Sequence, residues 1–376
     1  HRDLHSFPTR RSSDLLLEEK GYRGQVPGRK ALCLSAYRHV RRIKRIYLEH
    51  YPREILPPKS NILLMGPTGC GKTFLVELLF KHILKLPTVV VDMTGFSETG
   101  YIGEDTRTIL TRLLLAAHES PFLASLGIVC LDEFDKLASC QNMTRFDGQG
   151  TTKDVSGYGV QRELLKMLEE AHVEIPTDFN NSMYSTKEKL FTGDIGFIAC
   201  GAFSNFKNSV LAQNSRPRIG FNVANVPLLD DQKVAYLLAE QDANNVENFQ
   251  HYGFIPELIG RFSRIIPMFP LDRETLKSIL IDSVVKKFQI EFLAEGIDLN
   301  IEAEVIDSIV EKSFERQTGA RGLGALLVQR LEGAAFEHFC GKPGKLTLKK
   351  KGDEIITTWK NVHSPKSNNR PESDKP

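Results

Sequence analysis

The sequence lacks any long apolar run and any excess of one charge. A membrane-spanning helix needs roughly 20 consecutive apolar residues, and no segment of the chain approaches that length. Lysine and arginine together number 49 and aspartate and glutamate 47, so the net charge is only +2. Nothing in this balance indicates a nucleic-acid partner or an anionic membrane.

Paired cysteines are missing as well. The six cysteines are scattered without a C-x-x-C motif, and no cluster of Cys and His has metal-site spacing. We therefore expect free thiols in a reducing compartment. What is present is an ordinary globular composition, 41% hydrophobic and 26% charged, over 376 residues. That length is enough for about two domains with large cores.

The pattern of apolar and polar residues along the chain suggests where its domains begin and end. Residues 1–15 show no amphipathic period, and we interpret them as a non-native or disordered leader, with a transit peptide as the alternative. We predict a large nucleotide-binding domain over residues 16–270 and a small, mostly helical domain over residues 271–360. The polar residues 361–376 are predicted to be a disordered tail.

A phosphate-binding motif stands out near residue 70. Its sequence GPTGCGKT follows the apolar run 62–65 and precedes the helical pattern 74–80. The form G-x-x-x-x-G-K-T between a strand and a helix is typical of nucleoside triphosphatases, because the glycines let the backbone surround phosphate oxygens. Lys72 would reach the β and γ phosphates, and Thr73 would ligate Mg²⁺. The predicted ATP-binding residues here are Gly66, Pro67, Thr68, Gly69, Cys70, Gly71, Lys72 and Thr73. Cys70 also suggests sensitivity to thiol reagents.

Two carboxylates follow another apolar run further along the chain. Residues 128–131 are apolar and are followed by Asp132 and Glu133. In a parallel sheet, a carboxylate at the carboxyl end of a strand lies beside the phosphate loop. We expect Asp132 to hold Mg²⁺ through water and Glu133 to activate the attacking water. The alternative is an acidic helix cap.

Apolar strand patterns alternate with helical ones as far as residue 270. The predicted strands are 62–65, 88–92, 128–131, 196–200 and 265–269, and the predicted helices include 29–50, 108–118 and 160–171. This alternation predicts an α/β fold, a mainly parallel five-stranded sheet covered on both faces. Beyond it we predict helices over 273–292, 302–315 and 323–339 and a hairpin around Gly352. The basic residues between Arg38 and Arg45 are interpreted as a solvated face or subunit contact, with nucleic-acid binding as the alternative.

Together the phosphate loop and the carboxylate pair resemble those of AAA+ ATPases, and longer strings resemble the ClpX type of protein unfoldase. These strings are GYIGED at 100–105, DVSGYGVQ at 154–161, GFIPELIGR at 253–261 and TGARGL at 318–323. The resemblance extends from about Gly21 to Leu348. It implies an AAA+ P-loop domain in a homo-hexamer that uses ATP and Mg²⁺ to unfold tagged or unfolded proteins and translocate them into a Clp-type peptidase. It favours the bacterial cytoplasm over the mitochondrial matrix.

The resemblance also implies roles for single residues. Tyr101 and Ile102 would form a pore loop that grips substrate, since an aromatic between glycines offers sequence-tolerant contact on a pivoting loop. Arg261 would reach the γ-phosphate of a neighbouring subunit, and Arg321 would touch the nucleotide of its own subunit. Ile219, Gly220 and Phe221 would dock in hydrophobic pockets of the peptidase. Tyr22 to Gln25 resemble the stretch near the adenine base.

The chain also departs from the family pattern. No zinc-binding module with four cysteines is visible, and Cys200-Gly-Ala202 lacks the Asn or Thr with which many AAA+ proteins sense the γ-phosphate; ClpX-type proteins share that lack. Two other functions remain open. One is a stand-alone remodelling chaperone without a peptidase, and the other is a nucleotide-binding regulatory or DNA-associated scaffold.

Overall fold

Two compact units, His1–Pro270 and Leu271–Pro376, make up the chain in the computed structural model. The structure describes residues 8–96, 105–138, 157–176, 187–204, 206, 246–341, 343–352 and 354–361. Across these residues, no helix combines the length and the apolar character that crossing a membrane requires.

A parallel five-stranded sheet forms the centre of the first unit. The strands of this unit are β1 Asn61–Met65, β2 Thr88–Asp92, β3 Ile128–Asp132, β4 His172–Pro176, β5 Lys187–Phe191, β6 Gly196–Gly201 and β7 Phe262–Pro267. The sheet has the order β2-β3-β6-β1-β7, with every pair parallel. The predicted α/β fold with a mainly parallel five-stranded sheet is thus confirmed.

Helices cover both faces of this sheet. They are α1 Arg10–Glu19, α2 Val26–Tyr47, α3 Lys72–Val76 (continued by a π-helical segment, Glu77–Ile83), α4 Arg107–Ala116, α5 Pro121–Ser125, α6 Tyr158–Leu168, α7 Val246–Tyr252 and α8 Pro256–Ile259. Because side chains alternate along a strand, Leu63 and Met65 join one hydrophobic core while Ile62 and Leu64 join the other. Burial on both faces explains why the strands are continuous apolar runs.

The leader differs from its prediction. Residues 10–15 lie within α1, although residues 1–15 were predicted to be a non-native or disordered leader. Thr9 caps the helix by accepting a hydrogen bond from the Ser12 amide, 3.2 Å away, and Leu17 is fully buried. Arg29 of α2, itself buried, pairs with Glu18 at 2.5 Å and also with Asp14. Tertiary contacts therefore order a segment whose own pattern is weak.

Other elements also differ from the sequence-based prediction. Strands β4 and β5 form an antiparallel pair that the sequence did not predict. Strand β7 begins three residues earlier than predicted, at Phe262, because it pairs with β1 from Asn61 onward. Helix α2 begins at Val26 rather than near Arg29.

The second unit combines helices with a small sheet. Its helices are α9 Arg273–Ile279, α10 Lys286–Ala294 (joined to α9 by a π-helical segment, Leu280–Val285), α11 Ala303–Glu315 and α12 Gly319–His338. Its strands are β8 Ile297–Ile301, β9 Gly344–Lys351 and β10 Glu354–Asn361. Strand β9 pairs with β10 in the predicted hairpin and also with β8, which was not predicted. The residues predicted as a tail, apart from Asn361, lie outside the described part of the chain.

Candidate functional site

The phosphate-loop motif begins where β1 ends, and backbone hydrogen bonds on both sides hold that end. The amide of Gly66 donates to the carbonyl of Gly201, the last residue of β6, at 3.1 Å, and the amide of Met268, directly after β7, donates to the Met65 carbonyl at 2.7 Å. The backbone of Met268 passes so close that a Cβ on Gly66 would lie 2.3 Å from its carbonyl oxygen. Glycine at this position is therefore required by space.

The loop curls into a cradle that only glycines adopt easily. Gly69 and Gly71 have φ of 73° and 93°, in the left-handed region that favours glycine. Helix α3 begins at Lys72, whose side chain is buried. The Lys72 ammonium donates to the carbonyls of Gly66 at 2.6 Å and Pro67 at 2.8 Å. The lysine thus spans the loop from inside and brings its positive charge to the cradle.

Two oxygen-bearing side chains from different elements meet beside this lysine. Thr73, in the first turn of α3, donates its hydroxyl proton to Asp132 at the end of β3, at 2.8 Å. The Glu133 amide donates to the other carboxylate oxygen of Asp132 at 3.0 Å, and Glu133 itself has a φ of 52°. A hydroxyl and a carboxylate in contact are the hard donors that Mg²⁺ prefers. The glycine loop, the Lys72 ammonium and the pair formed by Thr73 and Asp132 therefore fit a nucleotide bound together with Mg²⁺.

A third carboxylate, Asp135, ties this region to the end of β6. It lies in the 3-10 turn Phe134–Leu137, is 4% exposed, and accepts a hydrogen bond from the Ala202 amide at 2.9 Å. Lys136 pairs with it at 3.0 Å. No role was predicted for Asp135, although its spacing from Asp132 and Glu133 was a visible signal.

The segment before α2 packs against the phosphate loop. The Tyr22 ring is buried, stacks with Phe74 at 6.0 Å between centroids, and would meet a Cβ on Gly71 at 3.3 Å. Burial raises the pKa of the Tyr22 hydroxyl far above its ordinary value. Gln25 binds the backbone of Phe269 with both ends of its amide. The stretch predicted to lie near the adenine base is thus in contact with the phosphate loop.

Arg261 lies away from these groups, at the opposite edge of the sheet. It directly precedes Phe262, which pairs with Asn61 at the start of β1, whereas the phosphate loop follows the end of β1. Its guanidinium contacts Glu169 at 2.5 Å, and both side chains are about half exposed. A surface pair of this kind contributes only about 0–1 kcal/mol, so Arg261 can be released at little cost.

The remaining predicted residues lie either in the second unit or outside the described part of the chain. Arg321 is an exposed residue in the first turn of α12, in the second unit. Tyr101 and Ile102 lie outside the described residues, as do Ile219, Gly220 and Phe221.

Comparison with known proteins identifies the class to which both units belong. A family model described as "AAA domain (Cdc48 subfamily)" matches residues 57–265. A second, described as "C-terminal, D2-small domain, of ClpB protein", matches residues 271–342. The first match covers the phosphate loop, the carboxylate pair and Arg261. The chain is thus a nucleotide-binding ATPase of the AAA+ class.

Similarity to individual proteins identifies the family within this class. The ATP-dependent Clp protease ATP-binding subunit ClpX of Treponema denticola is 33% identical over 84% of this chain and 74% of its own length. ClpX 3 of Methylococcus capsulatus is 37% identical over 84% and 73%, and ClpX 2 of Wolinella succinogenes 37% over 83% and 74%. The chain therefore belongs to the ClpX family of AAA+ ATPases.

A methyl group at Gly66 tests the cradle. The substitution Gly66→Ala places a Cβ 2.3 Å from the Met268 carbonyl oxygen, so the loop must shift. A shifted loop no longer places its backbone amides correctly on the phosphates, and we expect the affinity for ATP to fall by about tenfold or more. We expect titration with a fluorescent ATP analogue to show that loss. Gly333→Ala in α12, where no atom lies within 4 Å of the added Cβ, should leave the affinity unchanged. Equal affinities for both variants would contradict the assigned geometry.

Cys70 provides a second test. Its side chain is 2% exposed, and burial raises the pKa of its thiol. Because the thiolate is the reactive form, we expect iodoacetamide at neutral pH to label Cys70 far more slowly than the exposed Cys340. Peptide mass spectrometry over a time course measures both rates in one sample. Labelling of Cys70 as fast as Cys340 would show that the loop opens readily.

Proposed function

We propose that this chain is an ATP-driven protein unfoldase that works in a ring and delivers unfolded chains to a Clp-type peptidase. The observation that carries the proposal is the group formed by Lys72, Thr73, Asp132 and Glu133 at one edge of the sheet, in a chain of the ClpX family. This group supports nucleotide hydrolysis, and the relatives are named as ATP-binding subunits of a Clp protease.

Each residue of the site has a chemical task in this proposal. Glu133 orients and deprotonates the attacking water, and Lys72 stabilises negative charge on the β and γ phosphates. Thr73 and Asp132 would hold Mg²⁺, which, when bound, offsets phosphate charge. Gly66, Pro67, Thr68, Gly69, Cys70 and Gly71 line the phosphates with backbone. Arg321 would contact the nucleotide from the smaller domain, so that hydrolysis changes the angle between domains.

Arg261 is proposed to serve the neighbouring subunit. It lies beside the start of β1, and the phosphate loop begins five residues later, roughly 16 Å away along a strand that rises about 3.3 Å per residue. The side chain is too short to bridge that separation within its own subunit. A ring, in our proposal a homo-hexamer, solves this problem by placing Arg261 against the next subunit's ATP, where such an arginine can be worth about 10³–10⁵ in rate.

The mechanical and docking parts of the proposal rest on the family relation. Tyr101 and Ile102 would line the central pore and pull the substrate chain, and Ile219, Gly220 and Phe221 would fill hydrophobic pockets of the peptidase. The two domains are proposed to extend over residues 16–270 and 271–360. We place the protein in a bacterial cytoplasm, with tagged or unfolded proteins as substrates and without a membrane or nucleic acid as partner.

Removing the pore aromatic tests the unfolding activity. We expect Tyr101→Ala to retain ATP hydrolysis, because the substitution leaves the phosphate site untouched, and to lose ATP-dependent unfolding of a tagged fluorescent protein. Tyr101→Phe, which keeps the ring, should retain both activities. Unfolding by Tyr101→Ala at the normal rate would refute the pore-loop assignment.

Removing the docking tripeptide separates the unfoldase from a stand-alone remodelling chaperone. A chain without residues 219–221 should keep ATPase and unfolding activity but lose degradation when a Clp-type peptidase is added, since only the apolar anchors are gone. The intact chain with the same peptidase is the control. Normal degradation with the chain that lacks residues 219–221 would contradict the docking assignment. Failure of the intact chain to support degradation would favour a stand-alone remodelling chaperone.

A further inference from the structure

Helix α6 carries a buried glutamine that joins two functional segments. The side chain of Gln161 is fully buried, and its amide nitrogen donates to the Leu137 carbonyl at 2.7 Å and the Gly253 carbonyl at 3.1 Å. Its amide oxygen accepts from the Ile255 amide at 2.8 Å. Leu137 ends the turn that begins directly after Glu133, and Gly253 and Ile255 lie in the segment that leads to Arg261. One side chain thus holds both segments by their backbones.

Aromatic packing links the same two segments. Phe134, the residue after Glu133, stacks on Phe254 with centroids 5.1 Å apart and planes 16° apart. It also meets Phe262, the residue after Arg261, edge to face at 5.4 Å. All three rings are almost completely buried. The aromatic rings resist separation of the segments, while the glutamine fixes their register through directional bonds.

The end of α6 reaches Arg261 itself. Glu169, directly after the helix, contacts the Arg261 guanidinium at 2.5 Å. Nearer the start of the helix, Glu163 accepts a hydrogen bond from Thr106 at 2.8 Å, and Thr106 immediately precedes α4. The helix therefore joins the turn after Glu133, the segment before Arg261 and the start of α4.

We propose that Gln161 is a positioning residue that sets Arg261 relative to the turn carrying Glu133. The inference rests on the proposed function, in which Glu133 acts on the ATP of its own subunit and Arg261 on the ATP of the neighbour. A displacement of the Glu133 turn is then passed through Gln161 to Arg261. The glutamine thereby couples two successive ATP sites of the ring.

Mixed rings isolate this role. Subunits with Glu133→Gln cannot hydrolyse ATP but still donate Arg261, and subunits with Arg261→Ala hydrolyse only when a neighbour supplies the arginine. Mixing the two should restore activity. We then add Gln161→Met to the Glu133→Gln subunit alone, so that every hydrolysing site keeps its own Gln161. Light scattering establishes that each mixture forms rings.

The expected result is a fall in kcat of about tenfold or more with KM for ATP unchanged, because the hydrolysing site is intact and only the donated arginine is misplaced. The matched control is Gln289→Met in the same subunit; Gln289 also donates its amide to a backbone carbonyl, that of Leu299 at 3.2 Å, but lies in the second unit. A kcat within about twofold of this control would overturn the proposal.

Two further outcomes are informative. The mixture of Glu133→Gln and Arg261→Ala subunits, both with Gln161 intact, tests the proposed function separately. If that mixture shows no restored hydrolysis, Arg261 does not act on the neighbouring subunit's ATP, and the proposed function fails before Gln161 is tested. If Gln161→Met does not assemble, Gln161→Glu takes its place. That variant keeps an acceptor for the Ile255 amide but cannot donate to both carbonyls, because a carboxyl carries at most one proton where the amide carries two. The same fall in kcat is expected, and no fall would overturn the proposal.

Discussion

Two backbone hydrogen bonds, one to each neighbouring strand, hold the end of β1 and with it the start of the phosphate loop. Gly66 donates to Gly201, and Met268 donates to Met65. The loop therefore leaves the sheet at a fixed point, and Lys72 and Thr73 follow in fixed positions. Asp132 comes from β3, which is two strands away, and it meets Thr73 only because parallel strands end at the same edge. The site is a consequence of strand order.

The same parallel arrangement separates Arg261 from its own phosphate loop. Arg261 precedes β7 and therefore lies where the parallel strands begin. The phosphate loop follows β1 and therefore lies where they end. A subunit thus presents a phosphate site at one edge and an arginine at the other. The buried contacts of Phe134 and Gln161 run between these edges. In the proposed ring, coupling between neighbouring ATP sites would need only these contacts, through one packed helix and three aromatic rings.

Much of the fold and the core of the site could be predicted from sequence because the signals are local. Strand β2 was predicted with its observed ends, and the contact of Thr73 with Asp132 follows from two motifs and the strand order. Other elements depend on partners distant in the chain. Strand β5 carries charge on three of its five residues, and α1 is ordered through Arg29 of another helix. The role of Gln161 arises from the backbone groups to which it binds, and no sequence pattern reveals those.

Steady-state ATP hydrolysis by the whole chain, measured beside Glu133→Gln, tests the central claim most directly. We expect magnesium-dependent hydrolysis that falls by about 100-fold or more in the variant, while binding of a fluorescent ATP analogue is retained. Retained binding is expected because Glu133 acts on water and the phosphate cradle is untouched. No hydrolysis by the unaltered chain, at concentrations where rings form, would contradict the account and favour a nucleotide-binding scaffold. Equal hydrolysis by both proteins would contradict the role of Glu133.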